Sequence, residues 1–164
     1  MSLSADLLKR CQEIIRRYPP EHKRSAILMI LHEIQHHEGH LSDASLIAAG
    51  ELLGMAPAEV LGVCSFYVMF HRQPVGRHHI CLCRTLSCAL RGSEELQAHL
   101  EQEYGLRPGE TSKDGRFSLQ TVECLGHCGT APVVEIDETY FENLDVEKLD
   151  EILQSICNRS GGRE

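Results

Sequence analysis

Cysteine offers the most chemistry in this chain of 164 residues, which holds eight of them. Four fall in two close pairs. Cys83-Arg-Thr-Leu-Ser-Cys88 is C-x4-C, and Cys124-Leu-Gly-His-Cys128 is C-x3-C. Each pair directly follows a predicted strand, so each sits on a loop at a strand end. A rigid sheet can bring two such loops together. Four thiolates converging from two loops suit soft, thiophilic metals, either zinc or an iron–sulfur cluster. Structural zinc usually takes C-x2-C knuckles, because a tight turn presents both thiolates to one ion. Neither pair has that spacing. Wider loops suit a larger two-iron core with two thiolates on each iron. Such a core is an anion and gains from backbone N–H donors. Gly92, Gly126 and Gly129 let the backbone approach closely, and the helix beginning between Ser87 and Ser93 could aim its first amides inward. The C-x4-C-x2-C…C run of plant-type ferredoxins is absent.

The other four cysteines read as packing. Cys11 lies on an apolar helical stripe, Cys64 in a helical core region and Cys157 at the end of the last helix. Cys81 shares a strand face with Cys83, and its expected role is a buried small residue of the sheet. The main rival motif is His32-Glu33-Ile34-Gln35-His36, an HExxH on a predicted helix. Its third ligand would fall at position 42, where Ser42 stands. Ile30, Leu31 and Ile34 already define the buried face, which leaves His32 and His36 off its centre. The group His32, His36, His37 and His40 is therefore expected on a solvated helix face. His127 stands between two cysteines of the C-x3-C pair, behind the thiols or exposed. A thiol–disulfide enzyme needs a reactive pair such as C-x2-C at a helix start, and C-x4-C does not supply it.

These residues must be positioned by a fold. The length allows one domain or two small ones, and a chain of ~150 residues buries roughly 70% of its unfolded surface without disulfide staples. Sixteen Lys and Arg against 24 Asp and Glu give a net charge of −8, which argues against a nucleic-acid binder. No polybasic patch addresses an anionic membrane. No apolar run approaches the ~20 residues of a spanning helix, and the N-terminus lacks a signal peptide's apolar core. The expected compartment is the reducing cytoplasm, where structural disulfides are rare.

Residues 1–75 read as a small helical bundle. The first helix carries Leu7, Leu8, Cys11, Ile14 and Ile15, with Ser4 as N-cap. A second runs from Lys23 to His37 and stops at Gly39. A third spans Asp43 to Leu53 between Ser42 and Gly54, and a fourth begins at Pro57 and covers Ala58 to Val63. The pattern changes at Pro74-Val75-Gly76. Residues 76–158 read as strand (78–83), helix (90–104), strand (116–122), hairpin (132–137 and 139–144) and a helix capped by Asp145, with a frayed tail at 159–164. The fold class is α+β, a helical bundle followed by an α/β domain.

The segments ICLCRTLSCALRGSEEL and GETSKDGRFSLQTVECLGHCGTAPVV, with FYVMF upstream, resemble the thioredoxin-like [2Fe–2S] ferredoxin family. The N-terminal segments SAILMILHEIQ and LLGMAPAEVLGVCSFYVMF match it as well, so the likeness covers roughly residues 10 to 157. That family supplies the ferredoxin-type subunit of NADH:quinone oxidoreductase, respiratory complex I. The resemblance implies one [2Fe–2S] cluster held by Cys83, Cys88, Cys124 and Cys128. It implies a thioredoxin-like fold for the second domain, in which Ala131-Pro132 stands at the cis-proline position. It further implies a partner, a flavoprotein subunit carrying FMN, the NADH site and a [4Fe–4S] cluster, within a larger complex on the cytoplasmic side of a membrane. The cluster would exchange single electrons with the flavin. The same module occurs in NAD-linked hydrogenases and NAD-dependent formate dehydrogenases, which stand as the alternative. A structural zinc module with four cysteine ligands is the distant one. No G-x-G-x-x-G fingerprint is present, so the isolated chain is not expected to oxidise NADH.

Overall fold

In the structure, a computed structural model that describes residues 3–160, the chain separates into two units, Met1–Pro74 and Val75–Glu164. In the first unit the Ser4 hydroxyl accepts from the Leu7 amide at 3.3 Å and opens α1 (Ala5–Ile15). This satisfies one of the orphan donors of the first turn. After Pro19 the chain makes a 3-10 stretch, Pro20–Ala26, before α2 (Ile27–Glu38). The α-helix expected from Lys23 therefore starts later. Paired prolines deny the first turn its usual entry, and a tighter 3-10 lead-in replaces it. Gly39 ends α2 at φ +80°, a left-handed stop that favours glycine. Ser42 caps α3 (Asp43–Leu53) by accepting from Ser45 N at 3.1 Å.

The fourth helix, α4 (Pro57–Phe66), runs past the expected end at Val63 because buried Cys64 continues its inward face. Leu7, Cys11, Ile30, Leu31, Ile34 and Leu53 form the centre of this unit's core. Gln35 closes it: its side chain accepts from His71 N at 2.7 Å and donates to Met69 O at 2.8 Å. That bridge seats Phe70 in the core of this same unit, under the His32 ring.

The second unit is a four-stranded sheet of order β2-β1-β3-β4, made by β1 (His78–Cys83), β2 (Phe117–Val122), β3 (Val134–Ile136) and β4 (Thr139–Phe141). Strands β1 and β2 are parallel, with Cys83 opposite Val122. The β1–β3 and β3–β4 pairs are antiparallel. Parallel pairing points both C-terminal strand ends at one edge of the sheet. The two cysteine loops leave from that edge.

Between β1 and β2 the single helix expected over 90–104 is two: α5 (Leu86–Leu90) and α6 (Ser93–Tyr104). Gly92 at φ +104° breaks them apart, a conformation an L side chain rarely adopts. The hairpin strands are shorter than expected, mainly at their outer ends: β3 begins only at Val134, after Pro132, and β4 ends at Phe141, ahead of Asn143 with its positive φ. The last helix, α7 (Val146–Ser160), extends two residues into the expected frayed tail; residues 161–164 of that tail lie outside the described residues. Ile80, Leu82, Leu119, Val134, Leu149 and Leu153 fill the core of this unit. Asp150 on α7 accepts from Tyr104 Oη at 2.7 Å and from His99 Nε2 at 2.8 Å, which ties α7 to α6. Burial pushes the Asp150 carboxyl up, but these two donors outweigh it and hold the group below the usual range.

Among the described residues no single helix is long and apolar enough to cross a membrane; α3 and α4 would pass only as a pair, and they are bent by 115°.

Candidate metal centre

The register of β1 against β2 fixes where the thiols stand. Cys83 is the last residue of β1, and its amide donates to Val133 O at 3.2 Å. Arg84 N then donates to Val122 O at 3.0 Å, so the two strand ends stay joined as they leave the sheet. The Arg84 guanidinium meets the Glu123 carboxylate at 2.6 Å, linking the first residues of both loops. This exposed pair contributes little stability, but it marks how close the loops run.

Cys83 and Cys88 are both buried, on an apolar floor made by Ala131, Val133 and Leu125. The Ala131–Pro132 peptide bond is cis. The short turn of α5 returns the chain so that the Cys88 thiol reaches that of Cys83. On the other loop, Cys124 and Cys128 are exposed and their sulfurs lie 3.3 Å apart. Each Cys124–Cys128 thiol also feels the Cys83 thiol, and the Thr85 and Ser87 hydroxyls reach across to Cys124 and Cys128. The structure thus brings Cys83, Cys88, Cys124 and Cys128 together as two pairs facing one another.

The donors around them are arranged for negative sulfur. Burial pushes the Cys83 thiol up. The Thr85 hydroxyl, 3.3 Å away, and the amides of Leu125 and Thr85 more than reverse this, so it sits below its ordinary value. The Gly126 amide, 3.4 Å from Cys124 Sγ, holds that thiol down, helped by the Cys128 thiol. Gly126 reaches this position at φ +87°. Burial, and then the bond to Cys83, push Cys88 up to about 11, and the bond to Cys124 raises Cys128. Within each pair one thiol is therefore held down while its neighbour is raised. Soft donors, two per loop, with N–H groups aimed at sulfur, fit a [2Fe–2S] core held by four thiolates.

The remaining candidates are placed elsewhere. Cys11 and Cys64 are core residues. Cys81 and Cys157 are only half-buried, so the expectation that all four spare thiols are buried is corrected for these two. Cys81 faces Glu135 on β3, and burial followed by that carboxylate pushes its thiol up to about 12. Cys157 lies 3.5 Å from Arg116. His32 and His36 are exposed on α2, and among the described residues no three His, Cys, Asp or Glu side chains form a single-ion site.

Four residues near the thiols escape motif reading: Thr85, Thr130, Tyr140 and Glu142. Thr85 could have been found as a hydroxyl inside the C-x4-C loop. Tyr140 and Glu142 carry no such signal, because they arrive from β4 and its exit.

The profile of thioredoxin-like [2Fe–2S] ferredoxins matches residues 11–157. NADH-quinone oxidoreductase subunit 2 of Thermus thermophilus is 42% identical over 153 residues, 93% of this chain and 83% of that protein. A subunit of the NADH-quinone oxidoreductase of Rhizobium meliloti is 45% identical over 139 residues, 85% of this chain and 82% of that protein. A crystal structure of an NAD+-reducing [NiFe]-hydrogenase shares the fold, with a TM-score of 0.67 over 79% of this chain and 23% of its own; at 22% identity that likeness speaks for the fold alone. With the parallel β1–β2 edge, the paired thiols and a profile match over nearly the whole length, this chain belongs to the thioredoxin-like [2Fe–2S] ferredoxin family.

Proposed function

We infer that the chain is the ferredoxin subunit of an NADH:quinone oxidoreductase, with one [2Fe–2S] cluster held by Cys83, Cys88, Cys124 and Cys128. One observation carries this reading: two thiol pairs face each other at the paired ends of β1 and β2, in a chain that aligns over 93% of its length with a subunit of that enzyme. When bound, the cluster supplies one-electron redox chemistry.

The protein supplies position and environment. The four sulfurs hold the metals. The amides of Gly126, Leu125 and Thr85 donate to sulfur and favour its charged form. Ala131 and Val133 keep the buried pair away from water. Cys124 and Cys128 lie at the surface, so the site has an edge that a partner can approach. The partner in this reading is a flavoprotein subunit carrying FMN, the NADH site and a [4Fe–4S] cluster, at the cytoplasmic face of a membrane-bound complex. NADH delivers two electrons together, and a cluster held by Cys83, Cys88, Cys124 and Cys128 would supply a one-electron site beside the flavin.

The test is anaerobic reconstitution of the full chain with iron and sulfide, followed by affinity purification from its native cell. A red-brown chain with an electron-spin signal after one-electron reduction, co-purifying with an FMN-containing subunit, is the expected result. A colourless chain holding one zinc overturns the cluster. Co-purification with a hydrogenase or formate dehydrogenase instead overturns the parent complex.

A further inference from the structure

The Cys124–Cys128 loop is the exposed half of the thiol site. Gly126, at φ +87°, and Gly129 leave its backbone few intrinsic restraints. Yet two thiolates must be held at a fixed separation. The restraint comes from the chain leaving β4. His127 stands between the two cysteines, and its Nδ1 lies 2.6 Å from Glu142 Oε1. Its ring stacks on Tyr140, with centroids 4.8 Å apart and planes 24° from parallel. The Thr130 hydroxyl lies 3.2 Å from His127 O and also reaches the Glu142 carboxylate, so its single proton is shared between these two acceptors. Glu142 also accepts from Thr130; that bond comes first, burial works against it, and the bond from His127 adds to it, so the carboxyl sits below its usual range.

The backbone repeats the pattern. Asn143 N donates to Thr130 O at 2.7 Å, and Leu144 N to Pro132 O at 3.3 Å. Segment 140–144 thus grips segment 127–132 through two side chains and two amides. A carboxylate only accepts, so Nδ1 carries the proton in this contact.

We propose that Glu142 and Tyr140 are positioning residues for the Cys124–Cys128 arm: they clamp His127 from behind and so fix how the two thiolates meet the cluster. The proposal rests on the reading of Cys124 and Cys128 as cluster ligands. Groups that orient metal ligands from behind are commonly worth about 10–100-fold in metal affinity. A clamp on the ligand loop acts in the same way.

The experiment compares Glu142→Ala and Tyr140→Ala with Glu142→Gln and Tyr140→Phe in the full chain. Gln keeps an acceptor oxygen for Nδ1, and Phe keeps the stacked ring. Three quantities are read: hydrogen exchange of amides 125–130, the electron-spin spectrum of the reduced cluster, and the rate of cluster loss to a chelator. In both alanine variants the clamp predicts faster exchange at 125–130 with no change at 80–83, a shifted spectrum, and cluster loss faster by about tenfold. The Gln and Phe variants return all three toward wild type. Wild-type exchange and spectra in the alanine variants overturn the clamp, as does an equal loss in the conservative pair. If the unmutated chain takes up no [2Fe–2S] cluster, the cofactor reading fails; exchange at 125–130 in the same four variants still decides the clamp.

Discussion

Each of the four gathered sulfurs has a neighbour that explains its state, and the spare cysteines have different ones. This separates them experimentally. Replacing Cys83, Cys88, Cys124 or Cys128 singly by Ser is expected to abolish most of the iron-dependent visible absorbance after reconstitution. Cys157→Ser should leave it intact, and iron analysis per chain checks both. Cys11 is fully buried in α1, and burial, followed by Glu33, pushes its thiol up to about 11. Since the thiolate is the reactive form, Cys11 should resist iodoacetamide at pH 8 in the native chain and label readily once unfolded, as peptide mass mapping would show. Asp114 gives a pH dependence. The Ser112 hydroxyl, the Arg116 amide and the Arg116 guanidinium hold its carboxyl down to about 2, from an ordinary value of 3.8. A folded pKa below the unfolded one stabilises the protein above the unfolded value, and that contribution is lost as pH falls from 3.8 toward about 2. Asp114→Asn should therefore lower the melting temperature near neutral pH and make no difference at the acid end of that window.

Among the helices and strands, close backbone approach decides more than hydrophobic pattern does. Gly76 precedes β1 and its amide donates to Ser118 Oγ. A Cβ placed there would meet Phe117 C at 2.7 Å and Ser118 N at 2.9 Å. Those atoms are β2 backbone and cannot step aside. Gly76→Ala is expected to destabilise the second unit by about 1–3 kcal/mol, the range for forced overpacking. Gly62 is the opposite case. It lies inside α4 with nothing within 4 Å of its would-be Cβ. Gly62→Ala should stabilise α4 by up to about 1 kcal/mol, the helix-propensity difference. Urea titrations of the two variants should move in opposite directions. Element types were legible because capping and stop residues agree with the periodicity: Ser4, Ser42, Gly39 and Gly54 all stand where helices begin or end. The break between α5 and α6 was not. Leu96, Leu100 and Tyr104 keep helical spacing, but all three lie in α6, and the left-handed conformation of Gly92 separates that helix from α5.

Over the full chain, charge is unevenly shared. Residues 76–164 carry 16 acids and nine Lys and Arg, so most of the net charge of −8 lies in the unit with the thiols. Within it, residues 129–151 hold eight acids and a single base, Lys148. A reduced cluster is the more negative form, and acidic surroundings disfavour it. We expect a low midpoint potential; a strongly positive midpoint in a redox titration would contradict this. The parent complex supplies the flavin and the NADH site in this reading, so the isolated, flavin-free chain should show no NADH oxidation.

Residue type and spacing alone were enough to set out the available chemistry. Two thiol pairs, their place after two strands, and the family were all readable, because short-range signals and a near full-length match are written along the chain. What faces what was settled by folding in three dimensions. Parallel pairing of β1 with β2 brought loops 36 residues apart to one sheet edge. The return of β4 set Tyr140 and Glu142 against His127. Cys81 lies two positions from Cys83 yet sits beside Glu135, since strand register rather than chain distance chose its neighbour. Contacts of this kind join residues far apart along the chain, and their partners exist only once the sheet has formed.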